Sequence, residues 1–272
     1  MSHGIREPCP CDQHPPRLSF VKKYMKMKVA SIIALLALIT GSVFSQAPKK
    51  VLIVVTSFGE LKNGDKTGIW LEEFSTPYYM LTEKGYQVTV ASPNGGKAPI
   101  DPKSTTENFI TTSAKKFLGD AAAQERLNNT VALNTVHAKD YDAVFYPGGH
   151  GPMWDLPQNK SSVKLITSFY ESGKPVALVC HAPAALQNVK IKGEYLIKGK
   201  TVAGFTNSEE TAGQTTHFVP FLLEDMLKER GAKYQKGADW GAFAVQDGLL
   251  ITGQNPASAE LVAEKLMTAL NK

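Results

Sequence analysis

The sequence predicts an α/β protein built on a doubly wound, mostly parallel sheet with helices on both faces. Three observations carry that prediction. Short, β-branched and almost uninterruptedly apolar runs occur at 50–57 (KVLIVVTS), 143–146 (AVFY) and 175–179 (PVALV), the pattern of strands buried on both faces. Segments of helical length alternate with them. Turns rich in glycine and proline close the units, and 22 Gly with 16 Pro in 272 residues that are 43% apolar exclude disordered, collagenous and small disulfide-scaffold chains.

Taken in order, the strand at 50–57 runs into a polar loop at 59–68 and then a helix reaching Lys84, stopped by Gly85. A second strand at 86–91 (YQVTVA) ends in Pro93-Asn94-Gly95-Gly96, completing a β-α-β unit. Residues 96–112 read as irregular and 114–129 as one helix. The strand at 143–146 ends in Pro147-Gly148-Gly149-His150-Gly151. Val163, Ile166 and Phe169 set a helix over 161–172 with Gly173 as its stop. Cys180 follows the strand at 175–179 directly. A short strand at 201–205, a helix at 216–230, a hairpin of 243–245 with 249–252 around Asp247-Gly248, and a closing helix at 257–270 complete the chain. No internal repeat or linker divides it, so 46–272 is predicted to be a single domain.

Residues 1–45 read as an N-terminal extension followed by a signal peptide. The apolar run at 29–44 is preceded by Lys22, Lys23, Lys26 and Lys28, and small residues follow near Ser45. That run is short of the roughly 20 residues a spanning helix needs. Met25 and Met27 offer a conventional start for such a signal. The prediction is an exported protein, periplasmic or secreted, with no stable membrane association after cleavage. Six of the 30 Lys+Arg fall in this segment against two acids, which leaves 24 basic and 23 acidic residues beyond it. The formal charge of +5 is therefore largely a property of the N-terminus, and a nucleic-acid partner is excluded for want of a basic patch. Cys9 and Cys11 precede the cleavage point. Cys180 is left alone, unable to form an internal disulfide and a candidate nucleophile.

Sites in open α/β sheets form beyond the carboxyl ends of the strands. Cys180 occupies such an end, with a helix expected to begin within about three residues at Pro183, so the thiol sits on a sharp turn beside positive helix-dipole charge that favours thiolate. His181 can serve as acid or base, and its N–H can join those of Gly148 and Gly149 in an oxyanion hole. Glu72 and Glu73 lie early in the first helix about 100° apart, so at most one faces the sheet end. His137, His150 and His217 show no metal-ligand spacing, and no metal is predicted.

Six segments in this order resemble the ThiJ/PfpI superfamily: Thr67 to Pro77 (T-G-x-x-x-x-E-x-x-x-P), 91–104 (ASPNGGKAPIDPKS), PGGHG, VCHAPAAL, 204–210 (GFTNSEE) and 252–258 (TGQNPAS). The likeness extends over 50–270 and is strongest to the chaperone-type glyoxalase III, or D-lactate dehydratase, branch. It implies a flavodoxin-like, class I glutamine amidotransferase-like fold and, commonly, a homodimer. It singles out Glu73, four residues before Pro77, as the carboxylate beside the nucleophile Cys180. It implies His181 as the neighbouring histidine, Glu210 (with Glu209 as the alternative) as the third member, and Gly149 and His181 N–H groups as the oxyanion site. The implied chemistry is cofactor-independent conversion of a small-molecule 2-oxoaldehyde such as methylglyoxal to a 2-hydroxy acid through a Cys hemithioacetal. A raised Glu73 pKa suits that proton transfer. No H-x-E element occurs over 231–272, which argues against glutaminase chemistry. The alternatives are a stress-protective holdase chaperone or deglycase, and a Cys-dependent amidase or peptidase.

Overall fold

The computed structural model describes Met1, Gly4 and residues 47–272. The apolar run and the cleavage point lie outside the described residues. Residues Pro48–Lys272 form a compact unit.

Its main sheet contains β1 (Lys50–Val54), β2 (Gln87–Ser92), β3 (Val131–Ala132), β4 (Ala143–Tyr146), β5 (Val176–Val179), β6 (Ala244–Asp247) and β7 (Leu250–Gly253), in the order β6-β7-β5-β4-β1-β2-β3. All pairings are parallel except β6 with β7, the hairpin read from Asp247-Gly248. β4 is the middle strand and β1 lies next to it, flanked by β4 and β2, and β1, β4, β5 and β7 carry almost nothing but buried residues after their first positions. This is the double burial their apolar runs require. From β1 the chain builds outward to β2 and β3, then crosses to β4 and builds the other way. Right-handed crossovers in opposite directions place their helices on opposite faces.

Helix α1 (Leu71–Glu83) packs with α7 (Ala259–Leu270), while α4 (Lys160–Glu171) covers β4 and β5. Asn159 starts α4 by accepting from the Ser161 and Ser162 N–H groups at 2.9 and 3.0 Å. Its buried stripe of Leu165, Ile166 and Phe169 is the face the spacing predicts.

Three elements differ from the sequence reading. The single helix expected over 114–129 is two, α2 (Thr112–Gly119) and α3 (Ala121–Asn128). Asp120 breaks it by accepting from the Ala123 N–H at 3.0 Å, which makes it an N-cap rather than a helix interior residue. The helix expected over 216–230 shortens to α6 (Leu223–Glu229) because Pro220 denies the preceding segment a helical hydrogen bond. The strand expected over 201–205 is only Thr201–Val202, paired with Lys233–Tyr234 in a separate small sheet.

The intervening helix α5 (Asn207–Ala212) starts with a capping box: the Thr206 hydroxyl accepts from Glu209 N–H, and Glu209 Oε2 accepts from Thr206 N–H. The other Glu209 oxygen accepts from Trp240 N–H (2.7 Å), Gln254 Nε2 (3.1 Å) and Asn255 Nδ2 (2.7 Å). One buried carboxylate thus ties α5 to two distant loops.

Glu209→Ala is expected to lower the unfolding free energy by about 3 kcal/mol or more, since several buried donors each lose a partner at about 1–3 kcal/mol apiece. Glu209→Gln retains an acceptor oxygen and loses less. Urea unfolding of the two variants checks the order.

Candidate active site

The order of the sheet reverses between β1 and β4, and the chemically equipped residues gather beyond the carboxyl ends on that side. β4 delivers Gly148 and Gly149, β5 delivers Cys180 and His181, and the first turn of α1 delivers Glu73.

Cys180 is buried and has φ +61°. An L-residue in this left-handed region costs about 1–2 kcal/mol. The conformation is held from both sides, by Cys180 N–H donating to Gly253 O (3.0 Å) and Cys180 O accepting from Phe205 N–H (2.9 Å). The strand therefore ends in a sharp elbow.

Glu73 is wholly buried, and its Oε2 accepts from Gly148 N–H at 2.8 Å. Pro77, one helical turn on, has no N–H to return to the Glu73 carbonyl, which is the local meaning of the E-x-x-x-P spacing. Burial pushes the Glu73 carboxyl up to about 8, against the lowering effect of the Gly148 N–H and the adjoining Cys180 thiol. It is predominantly a carboxylic acid at neutral pH. Glu72 points elsewhere and lines the outer cleft, its carboxyl raised to about 7 by burial and by Glu260.

Burial also pushes the Cys180 thiol well up, and Glu73 adds to the rise, while the Gly149 N–H opposes it. The expected thiolate-favouring helix is a five-residue 3₁₀ turn, Ala182–Leu186. A helix-dipole effect of about 0.3–1 kcal/mol cannot offset complete desolvation, which moves a pKa by as much as 3–5 units. The resting sulfur is a thiol, which a neighbouring base would have to deprotonate before it could act as a nucleophile.

His181 adjoins that thiol. Its Nδ1 lies 3.3 Å from Sγ, and its Nε2 donates to Glu210 Oε2 at 2.7 Å. The second contact assigns the proton to Nε2 and leaves the Nδ1 lone pair facing the thiol. Burial and the neighbouring His150 lower the His181 pKa, keeping the ring neutral. Burial raises Glu210, but His181 and His150 together outweigh it and hold that carboxyl well below the usual range. Glu210, rather than Glu209, is the acid that reaches the site.

His150 was not singled out by sequence reasoning. Its Nε2 donates to Glu210 Oε1 at 3.1 Å and its ring centroid lies 4.2 Å from that of His181, so one carboxylate joins two imidazoles. The available signal was its place directly after Gly148-Gly149 at a strand end. Among the described residues, His150, His181 and Glu210 also form a group whose donor atoms, within 4.8 Å of one another, could converge on a metal ion. A metal there would have to displace the two hydrogen-bonded protons. Positions 150, 181 and 210 carry no local ligand spacing, so only the fold discloses this set.

Both glycines are sterically required. A Cβ on Gly148 would lie 2.8 Å from Glu73 Oε2 and 2.9 Å from Cys180 Cβ; one on Gly149, where φ is +89°, would lie 2.4 Å from Gly68 O and Trp70 N. The expectation that Gly148 N–H serves the oxyanion hole is corrected: Glu73 already engages it. The Gly149 N–H faces the sulfur instead. A cleft of about 1090 Å³ opens onto Gly149, His150, Cys180 and His181.

A family model described as DJ-1/PfpI family matches residues 67–269. Glyoxalase 3 of Candida albicans is 32% identical over 81% of this chain and 98% of its own length. The glutathione-independent glyoxalase HSP31 of Saccharomyces cerevisiae is 32% identical over 82% of this chain and 99% of its own. The crystal structure of glyoxalase III from Candida albicans superposes with a TM-score of 0.73 at 31% identity, over 81% of this chain and 97% of that one. That of the Rapid Encystment Protein of Francisella tularensis gives 0.78 at 39% identity, over 82% and 99%.

Two outcomes follow from the geometry. Gly148→Ala is expected to displace the Glu73 carboxyl and lower kcat/KM by about 100-fold, the scale of a 1 Å misplacement; steady-state kinetics with a circular-dichroism control measure it. Glu73 binds its proton in the folded state up to about pH 8 but unfolded only up to about 4.5. Between those values the native state holds the extra proton, so its contribution to stability falls as pH rises, by at most about 1.4 kcal/mol per pH unit. Glu73→Gln removes that slope. Unfolding curves of both proteins across this window give the difference.

Proposed function

The chain belongs to the DJ-1/PfpI family, and from that premise we propose that it is a glutathione-independent glyoxalase, converting 2-oxoaldehydes such as methylglyoxal to 2-hydroxy acids. The observation that carries the reading is the pairing of a thiol, Cys180, with a buried carboxylic acid on one side and a neutral imidazole on the other. Glutathione normally serves such reactions as an external thiol; here the chain supplies its own.

His181 Nδ1 takes the thiol proton as Sγ bonds to the aldehyde carbon, and the oxygen formed there is met by the Gly149 N–H and protonated by Glu73. The resulting Glu73 carboxylate removes the hydrogen of that carbon as a proton. The released electron pair moves toward the neighbouring carbonyl carbon, whose oxygen is protonated by His181. Glu73 then returns its proton to that second carbon, and as a carboxylate it takes up the first hydroxyl proton, which leaves a thioester and restores the carboxylic acid. Water, with His181 as base, hydrolyses it and restores the thiol. The aldehyde carbon is oxidised and the ketone carbon reduced, so no external redox partner enters. Glu210 keeps His181 in the required tautomer throughout.

The linear order of nucleophile, imidazole and carboxylate in Cys180–His181–Glu210 also favours, as a second reading, a Cys-dependent amidase. The N-terminal basic and apolar pattern is the basis for proposing export, and the family resemblance for proposing a homodimer.

The test is lactate formation from methylglyoxal without glutathione. Cys180→Ala and Glu73→Gln are each expected to lower kcat/KM by at least about 100-fold, the scale of a lost nucleophile or general acid-base. A folded, reduced protein that turns over no methylglyoxal but releases amine from a model amide would replace this reading with the second.

A further inference from the structure

The cleft is larger than methylglyoxal requires. Its volume of about 1090 Å³ is of the size that encloses a drug-sized ligand, whereas methylglyoxal is a three-carbon molecule. The excess space has two aromatic walls, each tied to a reacting residue. On one side Phe205 lies 4.2 Å from the His181 ring, and Trp240 lies 5.7 Å further along from Phe205. On the other, Trp70 N–H donates to Gly148 O at 3.1 Å, Trp70 precedes Glu73 by less than one helical turn, and its ring meets Phe109 edge-on at 5.4 Å.

The outer members of both walls are exposed to an extent that burial of apolar surface opposes, Trp240 by 52% and Phe109 by 43%. Trp240 is also held in the left-handed region, with φ +63°, by its N–H bond to the buried Glu209. A bulky residue kept in a strained conformation, ring half in solvent, is maintained there against both its backbone preference and its hydrophobicity. Strain of this kind collects at ligand clamps.

We propose that these walls form a subsite for an aromatic substituent beyond the second carbonyl, so that aryl-substituted 2-oxoaldehydes are preferred over methylglyoxal. The proposal rests on the glyoxalase reading above. With phenylglyoxal, Sγ bonds to the aldehyde carbon, that carbon's hydrogen leaves as a proton with its electron pair passing to the benzylic carbon, and the benzylic carbon is reprotonated. Hydrolysis of the thioester by one water gives mandelate. The ring stacks in the space between Phe205–Trp240 and Trp70–Phe109.

The experiment compares kcat/KM for phenylglyoxal and methylglyoxal, as mandelate and lactate formed without glutathione, in the wild type, Trp240→Ala, Trp240→Phe and Phe109→Ala. The expected wild-type ratio favours phenylglyoxal at least about tenfold; Trp240→Ala and Phe109→Ala each reduce that ratio several-fold, and Trp240→Phe restores most of it. A wild type that turns over methylglyoxal but gives a ratio at or below unity, or a ratio unmoved by both alanine variants, overturns the subsite and leaves the glyoxalase reading standing. Turnover of neither aldehyde by folded, reduced protein overturns both.

Discussion

A carboxyl group with no solvent exposure, pressed against a thiol at the end of a parallel strand, is the constraint around which this site is organised. Glu73 can occupy that position at neutral pH because it holds a proton, burial having raised its pKa to about 8. The Gly148 N–H fixes one of its oxygens, and the lack of a side chain at Gly148 gives the carboxyl its space. Cys180 must turn out of β5 through a left-handed residue to meet it, and the hydrogen bonds to Gly253 and from Phe205 keep that turn from relaxing. Moving any one of these groups disturbs the others, because each fills the volume the next would need.

The same burial that keeps Glu73 protonated makes Cys180 a poor thiolate, so the proposed nucleophilic role of the sulfur depends on a third group. His181 has the geometry for it: its Nδ1 lone pair faces the sulfur because its Nε2 is committed to Glu210. Glu210 can make that commitment because two imidazoles keep it ionised in a buried setting. The site thus contains two carboxyl groups with opposite protonation, one stripped of charge by its apolar surroundings and one stabilised by its neighbours.

Adjacent acids illustrate how closely structural and chemical tasks are interleaved. Glu209 closes the N-terminus of α5 and collects N–H groups from Trp240, Gln254 and Asn255, while Glu210 turns to the other side and meets the histidines. The helix that presents Glu210 is stable because Glu209 caps it. The loop that carries Trp240 to the rim of the cleft is anchored on that same capping carboxylate.

The sequence by itself determined the alternation of buried strands and helices and the strand ends at Pro147 and Cys180. Those signals are local: apolar runs and glycine stops act within a few residues of one another, whereas Glu73 was preferred to Glu72 only through the family resemblance. It did not show that Asp120 breaks a helix, since a side chain that caps and one that faces solvent look alike in sequence. The family resemblance preferred Glu210 to Glu209, but spacing did not separate neighbours whose side chains diverge only once the helix is docked. Nor did local pattern expose His150 beside His181, the commitment of the Gly148 N–H to Glu73, or the aromatic walls built from Trp70, Phe109, Phe205 and Trp240. These were decided by tertiary structure alone, because each joins residues from different strand ends and loops, and proximity between them exists only after the sheet has brought β4, β5 and α1 to one edge.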